Sequence, residues 1–191
     1  MARANWHPQL AEVPPEHLVF LDESGVQTNM TRLRGRAPVG ERLKFKAPRG
    51  HWQTTTIVAA VRLTGPCAPA VFDGPIDRPC FQAYLEQVLV KSLARGDVVV
   101  MDNLSVHKGP EVAAALEKVG ARVLYLPSYS PDYNPIENMW SKVKAIVRAL
   151  EARTFETLIT AVAHAIERVT RADCLGFFHN CQYAISLVEP L

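Results

Sequence analysis

Three carboxylates stand out by where the chain delivers them. Asp22 ends the apolar run Leu18-Val19-Phe20-Leu21, and Asp102 ends the run Val98-Val99-Val100-Met101. Glu137 comes three residues after Asn134, where an amphipathic pattern begins. Carboxylates gathered in one cleft repel and raise one another's pKa values. Divalent cations remove that penalty, and an oxygen-only donor set suits Mg²⁺ or Mn²⁺ rather than zinc. Two such ions about 3.5–4 Å apart can activate an attacking oxygen and stabilise a leaving one in phosphoryl transfer. Two of the three also have a plainer reading. Asp22 fits a strand-end cap for a turn into Ser24-Gly25. Glu137 fits a capping box on Asn134 and suits the helix dipole.

The basic residues point to a partner for that chemistry. Arg32, Arg34, Arg36, Arg42, Lys44, Lys46 and Arg49 face a single acid, Glu41, within eighteen residues. Their alternation predicts a hairpin over 30–46 turning at Ala37-Pro38-Val39-Gly40, each trio on one face of its strand. If Arg36 opposes Arg42, Arg34 meets Lys44 and Arg32 meets Lys46. Like charges opposed across a ladder destabilise it. Phosphates lying along the face would neutralise them and release counterions. A solvated basic loop is the other reading. Lys142, Lys144 and Arg148 either line DNA or form a solvated helix face. Trp140 reads as a core anchor.

The elements that must position these groups follow from periodicity. Strands are expected over 18–23, 54–61 and 98–101, a short one near Val71-Phe72, and another over 122–126. Asp77 caps a helix that Gly96 closes, Gly109-Pro110 opens a second, and Asn134-Pro135 opens a third running to Leu150. Thr154 caps a fourth, and a last helical piece spans 172–184. Helical crossovers between the later strands imply parallel pairing. Three meandering strands joined to them give an α/β fold with a mixed five-stranded sheet and helices on both faces. Asp22 and Asp102 then end neighbouring strands.

Length and composition bound the rest. The 191 residues and 48% hydrophobic content suit one domain with a real core. No apolar run approaches the ~18 residues of a membrane span. The N-terminus lacks the apolar core of a signal peptide, so a cytoplasmic protein is expected. Residues 1–17 read as an arm or linker remnant, 18–186 as the domain and 187–191 as a tail. The four cysteines show no Cys-x-x-Cys spacing and read as free thiols. Cys174, His179 and Cys181 fit no common zinc site.

The segments Leu21-Asp22-Glu23-Ser24-Gly25, Met101-Asp102-Asn103-Leu104-Ser105-Val106-His107-Lys108 and Leu126 to Trp140, containing Ser-Pro-Asp-Tyr-Asn-Pro-Ile-Glu-Asn, resemble the catalytic domain of mariner-superfamily DDE transposases. The resemblance runs from about His17 to about Ser186. Thirty-four residues separate Asp102 from Glu137, the spacing of the bacterial insertion-sequence branch. The likeness implies a ribonuclease-H-like fold, two Mg²⁺ or Mn²⁺ ions on Asp22, Asp102 and Glu137, and cleavage and strand transfer of double-stranded DNA. It implies a dimer on DNA, in the bacterial, nucleoid-associated cytoplasm. Family members carry helix-turn-helix domains, and no such motif is found here. That function is expected from a separate domain or subunit, and a non-catalytic DNA-binding or dimerising remnant is the alternative. Asn103 and His107 match positions beside the second Asp. His107 either contacts a phosphate or water, or is a loop histidine bonded to backbone.

Overall fold

The computed structural model describes residues 3–44, 48–49 and 52–183. Its centre is β1 (Leu18–Gln27), flanked by antiparallel β2 (Thr54–Arg62) and parallel β4 (Val98–Met101). The edges are β3 (Gly65–Asp73), antiparallel to β2, and β5 (Arg122–Tyr125), parallel to β4. The five-stranded sheet thus runs β3-β2-β1-β4-β5. Continuous apolar runs reach the middle because a central strand buries both faces.

Those faces divide by the period of two. Leu18 and Phe20 share a cluster with Val98, Val100 and the helices α4 (Pro135–Leu150), α5 (Phe155–Glu167) and α6 (Arg171–Asn180). Val19 and Leu21 join Val99 and Met101 against α2 (Arg78–Gln87) and α3 (Pro110–Glu117). Asp22 therefore continues the α4 side, and Glu23 the α2 side. The parallel register Leu18↔Val98 and Phe20↔Val100 carries Asp22 alongside Asp102 two residues later.

Several expectations are corrected. β1 does not end at Asp22: Ser24 and Gly25 stay in the ladder opposite Ile57 and Thr56, so Asp22 caps no turn. β3 is longer than the Val71-Phe72 core of its pattern. Pro66 and Pro69 are tolerated because this is an edge strand, with a bulge opposite Val58–Ala60. α2 stops at Gln87 and gives way to a 3₁₀ turn over Leu89–Ser92. Among the described residues the basic hairpin does not form: 31–44 contain no strand, although the turn closes through Glu41 N–H to the Pro38 carbonyl at 3.0 Å, and 45–46 lie outside the described residues. Opposed cations and the lack of a buried face explain why no ladder forms.

Trp6 and Leu10 of the N-terminal arm pack into the core on the α4 side. The short helix α1 (Trp6–Gln9) buries Trp6 completely. Trp6 Nε1 donates to Tyr183 Oη at 2.8 Å, and Tyr183 Oη donates to the Tyr133 carbonyl at 2.6 Å. The last helix ends at Asn180, and 184–186 and the 187–191 tail lie outside the described residues.

Candidate active site

Three elements deliver the carboxylates to one cleft of about 430 Å³, which Asp22, Asp102 and Glu137 all line. Asp22 comes from β1, Asp102 from the end of β4, and Glu137 from the first turn of α4. Pro135 starts that helix, but Asn134 does not cap it with its side chain. Asn134 Oδ1 is instead buried without a partner. No capping box forms, and the exposed Glu137 carboxylate faces the cleft.

The electrostatics register the crowding. Burial, then the negative charges of Glu137, Glu23 and Asp102, push the Asp22 carboxyl up to about 7. Asp102 differs. Burial raises it, but bonds from His107 and from the Leu104 N–H hold it below the usual carboxylate range. Both donors use Asp102 Oδ1, at 2.6 and 3.1 Å. Oδ2 is left for the cleft.

His107 overturns both expectations for it. It is fully buried, so it touches neither phosphate nor bulk water, and its ring bonds carboxylates rather than backbone. Nδ1 meets Asp102 and Nε2 meets Glu23 Oε1 at 2.8 Å, while the Phe81 ring packs tilted by 39° at 4.5 Å between ring centres. Burial lowers the imidazole pKa, but the two carboxylates outweigh it and raise it to about 9. The imidazolium therefore donates from both nitrogens at neutral pH. Tyr125 Oη donates to the His107 carbonyl, and Arg78 donates to the carbonyls of Ser105 and Lys108, fixing this turn. Glu23 is the residue that sequence reasoning missed. Its signal was its place after Asp22, which sends it to the opposite face towards α2.

The donor set fits a divalent cation: oxygen ligands, a surplus of negative charge, and a cleft open to water. Among the described residues no three His, Cys, Asp or Glu side chains are grouped to enclose one ion.

The expected DNA contacts are scattered. Arg32, Arg34, Arg36, Arg42, Lys44 and Arg49 are exposed, and Lys46 lies outside the described residues. Arg32 and Arg34 share a groove with Ser141, Ala145 and Arg148 of α4. Lys142 is committed to Asp173 of α6, so its ammonium is a helix-to-helix contact. Lys144 is half-buried and Trp140 is core. Cys174 and Cys181 are buried free thiols, and His179 is exposed.

The family model described as DDE superfamily endonuclease matches residues 17–159. No curated protein sequence matches the chain. Among solved structures, the Mos1 transposase paired-end complex with left transposon end is 16% identical at a TM-score of 0.71, over 94% of this chain and 57% of that one. The Mos1 Strand Transfer Complex is 18% identical at 0.68, over 87% and 52%. The Mos1 transposase catalytic domain with Raltegravir and Mn is 14% identical at 0.63, over 92% and 82%. The chain thus spans about half the length of the Mos1 chains in the paired-end and strand transfer complexes. At these identities the likeness is one of fold, and the fold is ribonuclease-H-like.

Proposed function

The chain belongs to the DDE superfamily endonucleases, and from that premise we propose that it is the catalytic domain of a transposase, cutting DNA at transposon ends and joining the freed 3′-end to target DNA. The observation that carries this is the convergence of Asp22, Asp102 and Glu137 from three elements onto one cleft. Two divalent cations, Mg²⁺ or Mn²⁺, would be held there by Asp22, Asp102 and Glu137. When bound, such ions activate the attacking oxygen and stabilise the leaving one.

The chain's own groups prepare that chemistry. Asp22, crowded by like charge, gains most from a cation. The Asp102 carboxylate is oriented by His107 and the Leu104 N–H, which fix one oxygen and free the other. Hydrolysis and strand transfer both displace an oxygen at phosphorus, so one site serves both. Mos1 structures include complexes with Mn and with Mg, which supports the cation. The exposed basic segment around Arg32–Arg36, together with Arg148, would follow the duplex backbone. Dimerisation on DNA, helix-turn-helix recognition by another domain or subunit, and action in a bacterial cytoplasm belong to the same proposal. No helix among the described residues is long and apolar enough to cross a membrane.

The test is nicking of supercoiled plasmid with Mn²⁺ or Mg²⁺, comparing the chain with Asp102→Ala. Metal-dependent nicking abolished by the substitution is expected. Metal and DNA binding without nicking in the unsubstituted chain would instead favour a non-catalytic remnant.

A further inference from the structure

We propose that Tyr129, with Leu104, is a stacking platform for an unpaired nucleobase beside the reacting phosphate. This rests on the DNA-cleaving reading above and adds to it a contact with the base. Tyr129 lines the carboxylate cleft and is 97% exposed. Its backbone sits at φ +55°, a left-handed conformation that bulky residues rarely adopt. The loop is nonetheless pinned. Pro127 and Pro131 stiffen it, and Arg3 Nη1 donates to the Tyr129 carbonyl at 3.0 Å and to Ser130 Oγ at 2.8 Å. The chain thus holds a large aromatic ring out in water, in an unfavourable backbone conformation, at the mouth of its cleft.

Nothing in the fold gains from that arrangement, because the ring packs on no core residue. A flat π-face of a ligand would gain. Leu104 is the other large exposed hydrophobic side chain of the cleft, 52% exposed and one residue beyond Asn103. Asn103 Nδ2 donates to Ser128 Oγ at 3.3 Å, tying the two loops together. A phosphate seated in the cleft lies beside these side chains, because Tyr129 and Leu104 line it together with Asp22 and Asp102. Aromatic rings stack on any base, and apolar side chains wedge into opened base steps. The platform therefore favours DNA whose bases are already unpaired near the cut.

The experiment measures binding of two DNAs, with Ca²⁺ as the cation: a blunt duplex, and the same duplex carrying a three-nucleotide overhang with 2-aminopurine. The unsubstituted chain and Tyr129→Phe should bind the overhang DNA at least about fivefold more tightly and quench the probe. Tyr129→Ala and Tyr129→Gly should lose both effects and keep their affinity for blunt duplex. Tyr129→Gly should also keep or raise the melting temperature, because glycine accepts this φ freely; that separates loss of the ring from loss of the fold. The proposal is overturned if the alanine and glycine variants keep the preference, or if Tyr129→Phe loses it as they do. If the unsubstituted chain binds neither DNA, the DNA-cleaving reading falls as well. If it binds both alike, only the platform does.

Discussion

At the residue scale the decisive object is the Glu23–His107–Asp102 bridge. An imidazolium between two carboxylates is a buried charge cluster whose members are tolerable only together. Removing the middle one leaves two uncompensated acids, a loss of about 3 kcal/mol. His107→Ala should therefore lower the melting temperature by roughly 6–12 °C for a chain of this size. It should reduce nicking further than unfolding explains, since Asp102 loses the bond that orients it. Glu23→Gln in the same chain removes one of the stranded charges and should restore part of the melting temperature but little of the nicking. Thermal unfolding of the two variants checks this; no recovery in the double variant would show that the charges are not what destabilises the single one.

At the element scale, helices dock by side chains that the sequence marked for other duties. Lys142 looked available to DNA, yet it joins α4 to α6 by pairing with Asp173, which also accepts the Thr170 N–H at 2.7 Å. The Lys142 bond, then the Thr170 backbone, lower the Asp173 carboxyl to about 2. A depressed carboxylate stabilises the fold above its unfolded pKa of about 4 and loses that stabilisation as pH falls through about 2. Solvent screening limits the effect to about 1 kcal/mol. Asp173→Asn should lower stability at pH 6 and flatten its decline between pH 4 and 2, as measured by denaturant unfolding at each pH. The same distinction between local pattern and tertiary use explains what was legible. Strands β1, β2, β4 and β5 were readable because their apolar or β-branched runs are their own evidence, and those runs end on Asp22 and Asp102. β3 was mostly hidden, since Pro66 and Pro69 are breakers anywhere but on an edge. The basic hairpin failed because alternation without a buried face does not make a ladder. Trp6 gave no periodic signal, because the partners that bury it, Tyr183 among them, lie far along the chain. Nor could the sequence tell that His107 would reach Glu23, eighty-four residues away.

At the scale of the whole molecule, a net charge of +2 conceals a separation of signs. The acids converge in the cleft at the N-terminus of α4, while Arg32 and Arg34 lie beside Arg148 near its other end. From Glu137 to Arg148 the helix rises about 16 Å at 1.5 Å per residue. That is roughly five base pairs of duplex at 3.4 Å each. A duplex lying along α4 would thus be gripped at one end and cut at the other. The arginines are exposed cations, so their contribution should come from counterion release and scale with the number of phosphates they neutralise. Replacing Arg32, Arg34 and Arg36 together with alanine should weaken DNA binding and reduce the slope of log affinity against log salt by up to about 3, near 0.9 per lost contact. The melting temperature should hardly change, since these side chains face water. Fluorescence anisotropy on a short duplex at several salt concentrations measures the slope directly. An unchanged slope would mean that the duplex leaves the cleft by another route, and that the basic segment belongs to a different surface.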